Sequence, residues 1–170
     1  MTSFHMSLTG HRPNKLDGYD LSTPFYDLLR QTLRTAITGA LDVHEHVTLH
    51  SGLALGADTV WSTMILEARA AHPGRVAFVA EVPTMLQSGR WHEGDQAFWR
   101  QQMASADAVN VYASEYSPRA MQLRNEGMVR AANLLLAVWD GSSSGTGHAV
   151  RYAGENGVLM HAWHPDEFRA

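Results

Sequence analysis

Hydrophobic and polar positions alternate from the start of the chain. Phe4, Met6 and Leu8 are separated by polar residues and run into Thr9-Gly10-His11-Arg12-Pro13, which predicts a strand opening at its carboxyl end into a loop that Pro13 keeps from becoming helix. From Ser22 to about Leu41, Phe25, Leu28, Leu29, Leu33, Ala36 and Ile37 fall at helical spacing, with Ser22 or Thr23 as N-cap and Pro24 at the first helical position. Val47, Leu49 and Ser51 predict a second strand, followed by a glycine-bounded loop, Gly52 to Asp58, and a helix whose inner face is Val60, Met64, Ile65 and Ala68. Val76 to Val82 is a β-branched apolar run expected to be a buried central strand. After an irregular stretch, Pro83 to Glu93, the pattern predicts a weak helix over Gly94–Ala106, a strand over Ala108–Tyr112 and a helix over Met121–Ala132. A strand over Leu134–Trp139, a helix over His148–Asn156 and a closing strand over Val158–His161 complete the chain. Repeated strand-helix alternation with short connections predicts an α/β fold: a Rossmann-like, mostly parallel β-sheet with helices on both faces, in one domain spanning residues 1–170.

In such a sheet, ligands bind outside the carboxyl ends of the strands. Three glycine-bearing loops are predicted there: Gly10-His11-Arg12, then Ser51-Gly52 through Gly56-Ala57-Asp58, then Asp140-Gly141 through Ser144-Gly145-Thr146. Glycine lets backbone N–H groups approach an anion, and a following helix adds the positive end of its dipole, so a phosphate is the expected occupant. Ser144 and Thr146 add hydroxyl donors, and Arg12 and Arg124 can add charge-assisted bonds. One such loop alone is more often only a tight turn; three in register with strand ends favour the binding role. None matches G-x-G-x-x-G or G-x-x-x-x-G-K-[ST], so neither an ordinary NAD site nor a P-loop is expected, and no cofactor is expected.

Composition narrows the partners. With 170 residues, 45% of them hydrophobic, the chain can close one sizeable core. A net charge of -4 without a run of Lys or Arg argues against a broad nucleic-acid footprint. The absence of cysteine excludes disulfides and thiolate metal sites, and the first ten residues lack the pattern of a secretory signal, so a cytoplasmic location without membrane contact is expected.

Taken in order, Thr9-Gly10-His11-Arg12-Pro13, Ser51-Gly52-Leu53-Ala54-Leu55-Gly56-Ala57-Asp58, Arg124-Asn125 with Met128, and Val138-Trp139-Asp140-Gly141 with Ser144-Gly145-Thr146 resemble the YpsA-like branch of the SLOG superfamily. The resemblance spans Thr9 to about Gly157. It implies a Rossmann-like fold, a pocket for nucleotides or nucleotide-derived molecules that includes Asn125, and a homodimer or higher homo-oligomer. Related branches are the LOG-type phosphoribohydrolases, which cleave the N-glycosidic bond of nucleoside monophosphates, and the DprA-type proteins, which bind single-stranded DNA. The LOG pattern has an arginine-lysine pair and a glutamate three residues after the loop threonine. Here Asn125 follows Arg124, and Ala149 stands in the glutamate position, where alanine can neither activate water nor stabilise a cationic sugar.

Asp58, Asp95 and Arg124 are the remaining catalytic candidates, with Asp140 and Glu126 as further carboxylates. Asp58 reads equally as an N-cap or dipole partner of the second helix or as an acceptor for a ribose hydroxyl. Trp61 and Trp139 are expected in the core, whereas Trp91 and Trp99 flank Asp95 and could shape a lid or a dimer contact. The pairs His44 with His46 and His161 with His164 lack accompanying ligands, so no metal is expected. His11, beside Arg12, is a candidate phosphate donor or acid-base group. The leading expectation is therefore capture of a nucleotide or nucleotide-derived ligand, as in a sensor. The alternative is nucleotide N-glycosidase chemistry with Arg124 and a carboxylate from outside the usual motif, and single-stranded DNA binding ranks third.

Overall fold

The computed structural model describes residues 3–169. Six strands, β1 (Phe4–Gly10), β2 (Val47–Ser51), β3 (Val76–Val82), β4 (Ala108–Val111), β5 (Leu134–Val138) and β6 (Leu159–Trp163), form one sheet in the order β4-β3-β2-β1-β5-β6. Every pairing is parallel. Between the strands lie α1 (Pro24–Val43), α2 (Ala57–Ala71), α3 (Glu93–Ser105), α4 (Pro118–Ala131) and α5 (Gly145–Glu155). The chain steps one way through β1, β2, β3 and β4, then returns to place β5 on the far side of β1. Right-handed crossovers consequently put α4 and α5 on the face opposite α1 and α2. The sheet is the Rossmann-like α/β arrangement that the periodicity predicts. Among the described residues no helix is long and apolar enough to cross a membrane.

The two faces of the sheet are filled differently. Met6, Leu8, Leu49, Phe78, Leu136 and Val138 point to one side, where Leu29, Leu33 and Ile37 of α1 and Val60, Trp61 and Ile65 of α2 complete a large apolar core. On the other side a small cluster joins Leu135 to Val129 of α4 and to Ala149 and Ala153 of α5. The rest of that side is polar. Ser7 Oγ donates to the Met128 carbonyl at 2.9 Å, tying β1 to α4. The fully buried Glu81 accepts from Asn110 Nδ2 at 3.1 Å and from the Tyr112 hydroxyl at 2.9 Å, and its Oε1 lies 2.8 Å from His50 Nδ1. His50 Nε2 in turn lies 2.9 Å from His5 Nδ1. Burial beside His50 pushes the His5 pKa down, and burial against Glu81 pushes the Tyr112 hydroxyl up. Such groups are tolerated in the interior because each finds a partner.

Four local expectations need correction. Pro13 does not exclude helix: Pro13–Lys15 form a 3-10 turn, a conformation that suits proline's fixed φ at its first position. Helix α4 begins at Pro118 rather than Met121, because Ser117 accepts from the Ala120 amide as an N-cap. Helix α5 begins at Gly145 rather than His148 for the same reason: Ser144 accepts from the Gly147 amide. The closing strand is displaced to Leu159–Trp163, and a further 3-10 turn, Pro165–Phe168, buries Phe168 against Phe25 with ring centroids 5.6 Å apart.

Candidate functional site

Strand order reverses between β1 and β5, and a cleft of 660 Å³ opens above their carboxyl ends. That is where an open parallel sheet places a ligand, since loops leaving to opposite sides part and create a crevice. The β1 loop and the start of α2 are packed backbone to backbone along one wall. Gly10 permits this, because a Cβ there would overlap the Ala57 Cβ and sit 3.3 Å from that of Val138. Gly56, at φ +102°, permits it too: a side chain would strike the His11 carbonyl and come within 3.0 Å of Arg12 Cα. The Ala57 amide donates to the His11 carbonyl at 3.2 Å, which joins the two loops.

The opposite wall is the N-terminus of α5. Ser144 occupies the cap position and satisfies Gly147, while the amides of Gly145 and Thr146, two residues that line the cleft, have no acceptor among the described residues. They supply the two free donors and the positive dipole end that an anion requires. Asn125 Nδ2 donates to the Gly145 carbonyl at 3.1 Å, so α4 steadies this turn. Trp139 Nε1 donates to the Ser142 carbonyl at 2.8 Å, and a Cβ on Gly147 would lie 3.3 Å from its ring. The half-buried Trp139 therefore braces the loop instead of joining the core as expected.

Arg124 stands at the floor, 4% exposed. Its Nε donates to Asn125 Oδ1 at 2.8 Å and its Nη1 to the Gly52 carbonyl at 2.6 Å. Burial pulls its pKa down and Asp58 opposes the shift; burial pushes Asp58 up, with Arg124 opposing. At the rim, His11 Nε2 lies 2.7 Å from Asp140 Oδ1 and 3.1 Å from the Asp140 amide nitrogen. Bonds from Ser142, and then His11, hold the exposed Asp140 carboxyl well below the usual carboxylate range. Lys15 Nζ donates to Ser142 Oγ at 2.6 Å, reaching across from the β1 loop to the β5 loop.

Of the residues singled out from sequence, Gly10, His11, Arg12, Asp58, Arg124, Asn125, Ser144, Gly145 and Thr146 line this one cleft. Ser51, Gly52, Gly56, Ala57, Asp140 and Gly141 do not line it; they shape the loops that do. Ser51 Oγ, for example, accepts from Leu53 N at 3.3 Å, and Gly141 turns at φ +84°. Asp95 lies on the first turn of α3, outside the lining, so the structure does not bring it to the site. Trp99 is buried, not part of a lid: its Nε1 donates to Gln87 Oε1 at 3.0 Å, and Trp91 packs against the core. His44 stacks on Phe4 at 4.1 Å and His161 meets Trp163 at 4.5 Å. Among the described residues no three His, Asp or Glu side chains converge as metal ligands.

Sequence reasoning missed Lys15, Tyr116, His148 and Arg151, which also line the cleft. His148 and Arg151 follow from the earlier start of α5, since they fall one and two turns after its first residue. With them the charge balance changes character. The lining carries Arg12, Lys15, Arg124 and Arg151 against the single carboxylate of Asp58, in a chain whose net charge is -4. A cation-rich hollow in an acidic protein is built for an anion.

Comparison with known proteins agrees with this architecture. The sequence pattern of the YspA SLOG family (YpsA) matches residues 6–156. The SPbeta prophage-derived protein YoqJ of Bacillus subtilis (strain 168) is 32% identical over 133 residues, covering 68% of this chain and 75% of the relative. A UPF0398 protein of Bacillus cereus (strain AH820) is 22% identical over 143 residues, covering 83% and 77%. Among solved structures, DNA processing protein A (DprA) of Streptococcus pneumoniae superimposes with a TM-score of 0.66 at 15% identity, covering 94% of this chain. The Helicobacter pylori protein, whose structure was described for its single-stranded DNA binding mode, superimposes at 0.63 with 13% identity over 95% of this chain. The chain spans 50% and 65% of those two structures, and at such identities the likeness is one of fold. The family match extends from β1 into α5 and so takes in all three loops around the cleft, and the chain belongs to the YpsA SLOG family.

Proposed function

We propose that this protein binds a phosphate-bearing nucleotide or nucleotide-derived small molecule in the cleft above β1 and β5, as the ligand-capturing part of a sensor. The observation that carries the reading is the pairing, at the strand-order reversal, of two acceptor-free amides on α5 with an excess of cationic side chains. Its volume of 660 Å³ lies within the range of small-molecule sites. The phosphate sits on Gly145 and Thr146, within reach of Arg12, and Arg124 meets the part of the ligand nearest the floor. Ala149, buried at 2%, occupies the position where LOG enzymes carry a catalytic glutamate, which favours capture over N-glycosidic cleavage.

The test is mass spectrometry of small molecules released from purified protein, followed by incubation with a panel of nucleotides and analysis for free base. An intact nucleotide that is retained or bound tightly supports capture. Release of free base that Arg124→Ala abolishes replaces the reading with glycosidase chemistry. Binding of single-stranded DNA in preference to mononucleotides, weakening steeply as salt rises, replaces it with backbone-led nucleic-acid recognition.

A further inference from the structure

Asp58 lies on the first turn of α2, lines the cleft and is 5% exposed. An acid at this place commonly caps its own helix. Asp58 does not: its Oδ2 accepts from the Ala54 amide at 3.3 Å, in the preceding loop, and its Oδ1 has no donor among the described residues. An asparagine would serve Ala54 equally well and avoid the desolvation of a charge. Nor does a direct ion pair account for the acid, because Arg124 turns its Nε and Nη1 to Asn125 and to the Gly52 carbonyl. The Nη2 of Arg124 likewise has no acceptor among the described residues. A buried carboxylate and a buried guanidinium thus each present an unmatched group to the same cleft.

Sheet order fixes where Asp58 stands relative to the phosphate-facing turn. It follows β2, Gly145 and Thr146 follow β5, and β1 runs between. The two walls are therefore separated by two strand spacings, about 10 Å, a span that a 5′-phosphoribosyl unit bridges once a hydrogen bond is added at each end. A carboxylate accepts and cannot donate, so its complement on the ligand is a hydroxyl or an N–H group. At one phosphoribosyl length from the phosphate, that group is a sugar hydroxyl.

We infer that Asp58 Oδ1 accepts the 2′- or 3′-hydroxyl of a ribose, which makes the cleft selective for ribonucleotide-type ligands over their deoxy counterparts. The inference rests on the reading of the cleft as a phosphate-ester site. It assigns Asp58 to specificity and not to bond cleavage.

The experiment is calorimetric titration of the wild-type chain and Asp58→Asn with inorganic phosphate and the four common ribonucleoside 5′-monophosphates. The tightest of these is then compared with its 2′-deoxy and 3′-deoxy forms. In the wild type, removal of the accepted hydroxyl weakens binding roughly 10- to 100-fold, the worth of a hydrogen bond to a buried charge. In Asp58→Asn that discrimination falls to within about twofold while inorganic phosphate still binds, at least as tightly as to the wild type because the one carboxylate of the lining is gone. Equal affinity for ribose and deoxyribose forms in the wild type overturns the inference and leaves the phosphate site standing, as does discrimination that survives Asp58→Asn undiminished. Failure of every phosphate compound to bind overturns the site, and this inference with it. Should Asp58→Asn not fold, the two deoxy comparisons on the wild type decide the matter alone.

Discussion

Replacing Gly52 with alanine tests the floor of the cleft through a single methyl group. Gly52 has no positive φ, so alanine is conformationally acceptable there and any penalty comes from space alone. The added Cβ would overlap Arg124 Nη1, sit 2.7 Å from its Cζ and lie 2.9 Å from Asp58 Oδ2. Ordinary contact requires about 3.5 Å, so the guanidinium must retreat by roughly 1.5 Å. That retreat breaks the 2.6 Å bond from Nη1 to the Gly52 carbonyl. Loss of a buried hydrogen bond from a charged donor costs about 1.5–3 kcal/mol and local overpacking about 1–3 kcal/mol, giving an expected destabilisation of about 2.5–6 kcal/mol. Urea titration of Gly52→Ala, Arg124→Ala and the double variant measures it. With the guanidinium gone, the methyl is crowded only by Asp58 Oδ2 at 2.9 Å, and its cost should fall to about 1 kcal/mol or below, a coupling of at least about 1–2 kcal/mol. An equal cost in both backgrounds would refute the placement of Arg124 against Gly52. Nucleotide affinity should fall with the displaced guanidinium, by roughly tenfold or more in Gly52→Ala.

Gly145→Asp should abolish nucleotide binding while leaving the melting temperature within a few degrees of wild type. The nearest atom to an added Cβ is Asn125 Nδ2 at an ordinary 3.6 Å, whereas the new carboxylate stands where the phosphate belongs; retained affinity in calorimetry would sink the assignment. Asp58→Asn should melt above wild type at neutral pH. Burial raises the Asp58 pKa, so the folded state loses stability as pH climbs from the ordinary carboxyl value through the raised one, and a thermal melt series in pH should show that loss in the wild type and not in the variant. Asp140 carries the opposite sign: its pKa is depressed, so its contribution is present above pH 4 and lost in more acidic solution, and Asp140→Asn should flatten that part of the curve and loosen His11, read from the imidazole resonances by NMR. Glu81→Leu should cost about 3–5 kcal/mol in urea unfolding, because it strands His50, Asn110 and Tyr112 around a group that no longer accepts; a loss below about 1 kcal/mol would show that their bonds contribute little.

Periodicity carried the sheet: Val47 and Leu49 are spaced by two, Val76 to Val82 is a buried apolar run, and β2 and β3 lie where those patterns lie. Helix starts were harder to read. Gly145 and Gly147 argue against helix by propensity, yet the Ser144 hydroxyl and the packing of Ala149 and Ala153 override them. The same misjudged boundary hid Arg151 and His148, since a cleft-facing residue on a helix is located only once the first turn is fixed. Glycine loops marked which strand ends meet, whereas Lys15 and Tyr116 reach the cleft through the chain's path after the strand and leave no local signature. Asp95 showed the converse: an acid flanked by tryptophans looked like chemistry, and on α3 it lies outside the cleft lining.

The unequal filling of the two faces has a dynamic consequence. Asp58, Gly10 and Arg12 belong to elements anchored by the large apolar core, while Arg124, Asn125, Gly145, Thr146 and Arg151 ride on helices held by a much smaller apolar cluster and a set of hydrogen bonds. Amide exchange with solvent should be slowest in β1, β2 and α2 and faster in α4 and α5. A ligand gripping both walls ties the half that opens readily to the half that rarely opens. Occupancy would then be written most strongly as slowed exchange along α4 and α5, the part of the molecule where a small change in free energy alters motion most.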